Sequence, residues 1–161
     1  MVAQPTTGLG SCAAECYAKQ MIPGTMSRTA KGRVAPAPRL ADKPQQTADL
    51  VAALPNVTVQ AHWEIGSQEH VNGTDFYVGA QELGHIHLDG EAHIPVGAEI
   101  AALLVQAKLA KRFRWSAHFV VVNAADTDVA SWTFALRHAQ IAGVSHADLT
   151  ARIAARAAIS C

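Results

Sequence analysis

The chain has 161 residues, half of them hydrophobic and 16% charged, with equal numbers of basic and acidic side chains. That length and apolar content fit one globular domain with a substantial core, and the absence of a basic surplus disfavours nucleic acid as a partner. The longest strongly apolar stretch, residues 100–104, is far too short to span a membrane.

Residues 1–45 read as a disordered leader. The first residues are uncharged and no continuous apolar run follows them, so no secretory signal is expected and a cytoplasmic location follows. Met26 offers a second start, which makes residues 1–25 a candidate gene-model extension that N-terminal sequencing of the native protein would test. Cys12, Cys16 and Cys161 form no CxxC knuckle and staple no part of the expected core; free thiols in a reducing compartment are expected. Residues 27–46 carry Pro36, Pro38 and Pro44 and show neither helical nor strand period, the pattern of a flexible arm.

Order is expected from Thr47, whose hydroxyl can cap a helix over 48–54 before Pro55-Asn56 stops it. Val57, Val59, Ala61, Trp63 and Ile65 alternate with polar residues and predict a half-buried strand, with His62 and Glu64 on its solvated face. A turn-rich stretch through Asn72-Gly73 leads to a strand over 75–79, followed by a hairpin centred on Asp89-Gly90. Beyond Gly97 the period becomes helical: Ile100, Leu103, Leu104 and Ala107 share a face over 98–110, and Lys111-Arg112-Phe113-Arg114 reads as the solvated helix end. Residues 117–122 predict a strand, and Asp126 is placed to cap a helix containing Val129, Trp132, Leu136 and Ala139, which Gly143 ends. Ser145 and Asp148 resemble a capping box for a last helix over 144–161, with Leu149, Ile153 and Ala157 on a narrow stripe. It should dock weakly or supply a homodimer contact. The mostly consecutive strands predict an α+β domain over 46–143, in which a mostly antiparallel sheet of four or five strands carries its helices mainly on one face.

The hairpin holds the one local pattern able to carry chemistry: His85, His87 and His93 around a turn, with Glu91 between. A two-residue Asp89-Gly90 loop would pair His87 with Ala92 and leave His93 on the opposite face from the other two histidines. A three-residue loop with left-handed Gly90 would pair His85 with His93 and His87 with Glu91, close enough to share a divalent transition metal ion, with Glu91 as ligand or general base. Gly79, His85, His87, Glu91 and Gly97 also imitate the first metal-binding motif of cupins, but the spacing from Glu91 to Gly97 is one residue short. The second motif and the strands of a jelly roll are absent.

The other candidates have structural readings. Asp126 and Asp128 suit a helix start. Ser116 with His118, and Ser131 with His138, lack a nucleophile elbow or an orienting third residue. Trp63, Trp115 and Trp132 lie on separate elements and read as core or groove-lining residues, and Arg137, Arg152 and Arg156 read as the wet sides of their helices.

Gln81-Glu82-Leu83-Gly84-His85-Ile86-His87, Asp89-Gly90, Ala92-His93-Ile94-Pro95 and residues 100–105 resemble the luciferase domain family of small bacterial and fungal proteins. So does the stretch from Asp128-Val129 to Ala135-Leu136-Arg137. The resemblance covers roughly residues 46–142. Members typically carry a histidine shortly after the long helix and a Ser-Gly-Trp opening to the next strand; this chain has Phe113 and Ser116-Ala117-His118. No flavin fingerprint or phosphate loop is present, and the (β/α)₈ barrel of bacterial luciferases needs about 250 residues. The resemblance therefore implies an α+β binding module for a small molecule or protein, with His85, His87, Trp63 and Arg137 as ligand-binding candidates and no cofactor. The alternative is a metal-dependent enzyme centred on His85, His87, His93 and Glu91.

Overall fold

The computed structural model describes residues 22–159; Cys12, Cys16 and Cys161, with the thiol state expected of them, lie outside that range. Among the described residues six strands form one sheet: β1 (Val57–Trp63), β2 (Val71–Val78), β3 (Gln81–His87), β4 (Glu91–Pro95), β5 (Lys111–Arg112) and β6 (Phe119–Asn123). Their spatial order is β1-β2-β3-β4-β6-β5, with every neighbouring pair antiparallel. Four helices among the described residues, α1 (Asp42–Ala52), α2 (Ala98–Gln106), α3 (Thr127–Ile141) and α4 (His146–Ile159), complete an α+β architecture. The core lies between the helices and one sheet face, where Phe76, Ile86, Ile94 and Val120 meet Val51, Leu104, Phe134 and Leu149.

The sheet has one strand more than the four or five expected, and the addition is β5. Helix α2 ends at Gln106 instead of near residue 110, because Lys108 takes a left-handed φ of 59° and Leu109 closes back with its N–H on the Leu104 carbonyl, 3.0 Å away. Lys111 and Arg112, expected at a helix end, then pair with Val121 and Val120. At the other end of the fold α1 begins at Asp42, earlier than Thr47, since Pro44 sits in the first turn, where a missing N–H costs no intrahelical bond. Thr47 is inside the helix and donates its buried hydroxyl to the Ala124 carbonyl at 2.6 Å. Asp126 and Ser145 cap α3 and α4 as their positions predict, with Val129 N–H on Asp126 Oδ1 and Asp148 N–H on Ser145 Oγ.

Two features prepare the other face of the sheet. The stretch that reads as a flexible arm runs along the outer edge of β1: Ala61 N–H donates to the Ala35 carbonyl at 2.8 Å, and the Trp63 indole N–H donates to the Arg33 carbonyl at 2.8 Å. It thereby covers an open sheet edge. Bulges interrupt the β1–β2 pairing at Asn72 and the β2–β3 pairing at Leu83, where Phe76 opposes Gly84 but Tyr77 opposes Glu82. An extra residue reverses the alternation of faces, so Glu82 emerges on the same side as His85. Gly84 permits the arrangement. A Cβ there would lie 2.7 Å from the Phe134 ring and 2.8 Å from the His93 carbonyl, at a φ of 146°.

Candidate functional site

The hairpin loop decides which histidines meet. Gly90 N–H donates to the His87 carbonyl at 3.0 Å, Gly90 has a φ of 88°, and His85 pairs directly with His93. This is the three-residue loop, and it puts His85, His87 and His93 on one face. The two-residue loop, with His93 turned away, is not adopted.

On that face the rings of His62, His85, His87 and His93 form one cluster. His62 stacks on His85 with centroids 4.1 Å apart and planes 8° from parallel, while His87 stands edge-on to both at 4.9 Å. His93 closes the group, its Nδ1 lying 3.1 Å from His85 Nε2 and 3.3 Å from His87 Nε2. His62 is thus a correction: expected on a solvated face, it is 1% exposed, whereas Glu64 is exposed as expected. Alternation identifies a polar face, but here the arm and the other histidines cover it.

Carboxylates surround the cluster. His62 Nδ1 donates to Asp75 Oδ1 at 2.9 Å, His85 Nδ1 to Glu82 Oε1 at 3.1 Å, and His93 Nε2 to Glu91 Oε1 at 2.7 Å. Lys31, itself buried, reaches over the face to donate to Asp75 at 2.9 Å and to Glu82 at 2.5 Å. Asn72, displaced by its bulge, places its amide 3.1 Å from His87 Nδ1. Three-donor groups occur twice among the described residues: His62 with His85 and His87, and Asp75 with Glu82 and His85.

Burial dominates the electrostatics. It holds the His85 imidazole well below its usual range, reinforced by the positive charge of Lys31 and by the neighbouring histidines. It lowers His87 to about 4, with His93 and His62 adding to the effect and Asp89 and Glu91 opposing it. Both imidazoles are neutral at neutral pH and keep a lone pair. Burial, then Asp75 and Glu82, push the Tyr77 hydroxyl upward.

Above the histidines is a cleft of about 250 Å³, with Phe113, Trp115, Phe119, Met26 and Ile65 around it. Phe113 packs on His93 with centroids 4.7 Å apart, and Trp115, 71% exposed, stands at the rim against Phe113.

The remaining predicted residues fall elsewhere. Trp63 is buried where the arm crosses β1 and does not line the cleft. Arg137, expected on a wet helix side, is 3% exposed on α3; its Nε and Nη2 donate to the Glu82 carbonyl and Nη1 to Gln140. Burial lowers its guanidinium to about 10, opposed by Glu82. Arg137 follows Phe134 by three residues and Thr133 by four, both buried, so the helical stripe itself marks this position as inward. Ser131 donates to the Asp128 carbonyl and His138 bonds the Pro55 carbonyl, while Ser116 Oγ only accepts the His118 backbone N–H. Neither serine–histidine pair forms a dyad. Lys31, Asp75, Glu82 and Asn72 are site residues that the sequence pattern does not single out.

Residues 80–139 match the family model described as Luciferase domain, the family to which the hairpin residues bear a resemblance. No curated protein and no solved structure matches the chain. The matched segment contains His85, His87, Glu91, His93 and Phe113, while Lys31, His62 and Asp75 come from earlier in the chain.

Proposed function

With residues 80–139 read as a Luciferase domain, we propose that the protein is a small-molecule binding module whose ligand occupies the cleft above the histidines. The observation that carries this reading is the composition of one concavity: aromatic walls over a floor of imidazoles, among which burial keeps His85 and His87 neutral. Ligand sites combine such apolar walls with a few fixed polar groups. A compact ligand with an apolar body fits against Phe113, Trp115 and Phe119, and a single hydroxyl on it can donate to an imidazole lone pair. The size of the cleft favours a molecule with few rings over a peptide segment.

Phenol and cyclohexanol are suitable probes, because each joins one apolar ring to one hydroxyl. Saturation-transfer NMR on metal-free protein should show saturable phenol binding on the order of millimolar. The Phe113→Ala variant should weaken it about tenfold, in line with loss of one aromatic contact surface. Absence of saturable binding by either probe, or binding indifferent to Phe113, would refute the assignment of this cleft.

A further inference from the structure

We propose that His85, His87 and His93 hold one divalent transition metal ion in the floor of the cleft, leaving a fourth position whose water molecule is hydrogen-bonded by His62. The inference stands on the histidine geometry and does not require the small-molecule reading.

The tautomers follow from the carboxylates. A carboxylate only accepts, so the ring nitrogens facing Asp75, Glu82 and Glu91 carry the protons of His62, His85 and His93. Neutral imidazole has one N–H. The lone pairs therefore lie on His62 Nε2, His85 Nε2 and His93 Nδ1. The last two face each other across 3.1 Å with no hydrogen between them, an arrangement that a cation relieves. His87 Nε2 lies 3.3 Å from His93 Nδ1. A half-turn of the Asn72 amide would let its oxygen accept the Nδ1 proton of His87 and free Nε2 as the third donor.

A zinc–nitrogen bond of about 2.1 Å puts tetrahedral neighbours about 3.4 Å apart, close to the His85–His93 and His87–His93 separations. The donors of His85, His87 and His93 do not all lie within 4.8 Å of one another, so binding an ion requires the His85 and His87 rings to close towards each other. The planes of His85, His87 and His93 are mutually inclined by 68° to 87°, so the three rings can offer lone pairs to an ion from different directions. His62 differs. It lies parallel to His85, and its lone pair runs alongside instead of converging. Yet His62 Nε2 is buried without a hydrogen-bond partner, and His62 offers a ring nitrogen within 4.8 Å of those of His85 and His87. That spacing suits a bridge through one metal-bound water.

Asp75 and Glu82 act on the histidines and not on the ion. The rival donor group, Asp75 with Glu82 and His85, is occupied by the Lys31 ammonium. Carboxylates that orient ligating imidazoles are the usual outer partners of such sites, and Glu91 takes that role for His93 instead of being a ligand. Three imidazoles suit zinc, cobalt, copper, nickel or iron, and three protein ligands with an open position are the pattern of catalytic zinc.

The test uses the full chain purified without a histidine tag, stripped of metal and titrated with cobalt(II) and zinc(II). One equivalent of cobalt should bind and give visible absorption, and zinc should raise the thermal midpoint. His85→Gln and His93→Gln should weaken cobalt binding about 100-fold or more, Glu91→Gln about 10- to 100-fold, and His62→Gln less than about tenfold. The surface double variant His70→Gln/His146→Gln should bind like the wild type. X-ray absorption on the cobalt-loaded wild type should show three imidazoles, a readout that survives if a variant fails to fold. No saturable equivalent, an all-oxygen shell, or equal loss in the surface double variant would overturn the site; loss in His62→Gln as severe as in His93→Gln would overturn the assignment of His62 to the water. Because phenol binding is measured on metal-free protein, failure of the metal test leaves the cleft reading separately decided.

Discussion

Lys31 shows what a single side chain does in this site. Its ammonium compensates two buried carboxylates, and removing one partner of a buried pair leaves an uncompensated charge. Lys31→Met should therefore destabilise the fold by about 3–5 kcal/mol, measured as a shift in the urea midpoint; a change under about 1 kcal/mol would mean the ammonium is dispensable. His85 and His87 set a pH dependence of the metal-free protein. Their native pKa values lie below the ordinary 6.5, so the unfolded chain binds more protons as pH falls from about 6.5 to about 4. Stability should decline through that window, with a slope of up to about 1.4 kcal/mol per pH unit for each group, and level off above it. A denaturation series across those values checks the sign, and His87→Gln should shallow the slope. Of these residues the hairpin histidines were legible from sequence, because strand alternation and loop length limit where they can point. His62 was not, because alternation separates two faces without saying whether something covers the polar one.

At the scale of elements, the bulge at Leu83 selects the chemistry of β3. Without it, alternation would send Glu82 towards the helices and deprive His85 of its carboxylate. Gly84→Ala forces a Cβ against the Phe134 ring and the His93 carbonyl, so a loss of about 2–4 kcal/mol is expected, with displacement of Glu82 visible as a changed His85 NMR signal. An unaltered His85 environment would separate the bulge from the site. The helices and most strands were readable from period and caps, as at Asp126 and Ser145. The exceptions have local causes. Pro44 reads as a breaker yet fits a first turn, and the left-handed Lys108, a residue type with no such preference, turns an expected helix end into β5. The bulges leave no mark in the sequence because they arise from pairing between strands.

For the whole molecule, α4 is more than an appendage. Leu149 and Ile153 are buried in the main core as α4 packs on α2 and α3, so deleting residues 145–161 should cost about 3–6 kcal/mol from the burial of those two side chains. The sheet with α1 and α3 should still unfold cooperatively; a non-cooperative transition would show that the core needs α4. The cover of the cleft has a different consequence. Lys31 meets Asp75 and Glu82 across 44 and 51 residues of chain, and such distant contacts must wait for large loops to close. The pocket should therefore mature after the sheet that carries it. In a Trp115→Phe/Trp132→Phe variant, refolding reported by Trp63 beneath the arm should lag behind the far-ultraviolet signal of the sheet, giving newly made chains a brief interval in which the histidines lie open to whatever ion or molecule reaches them first.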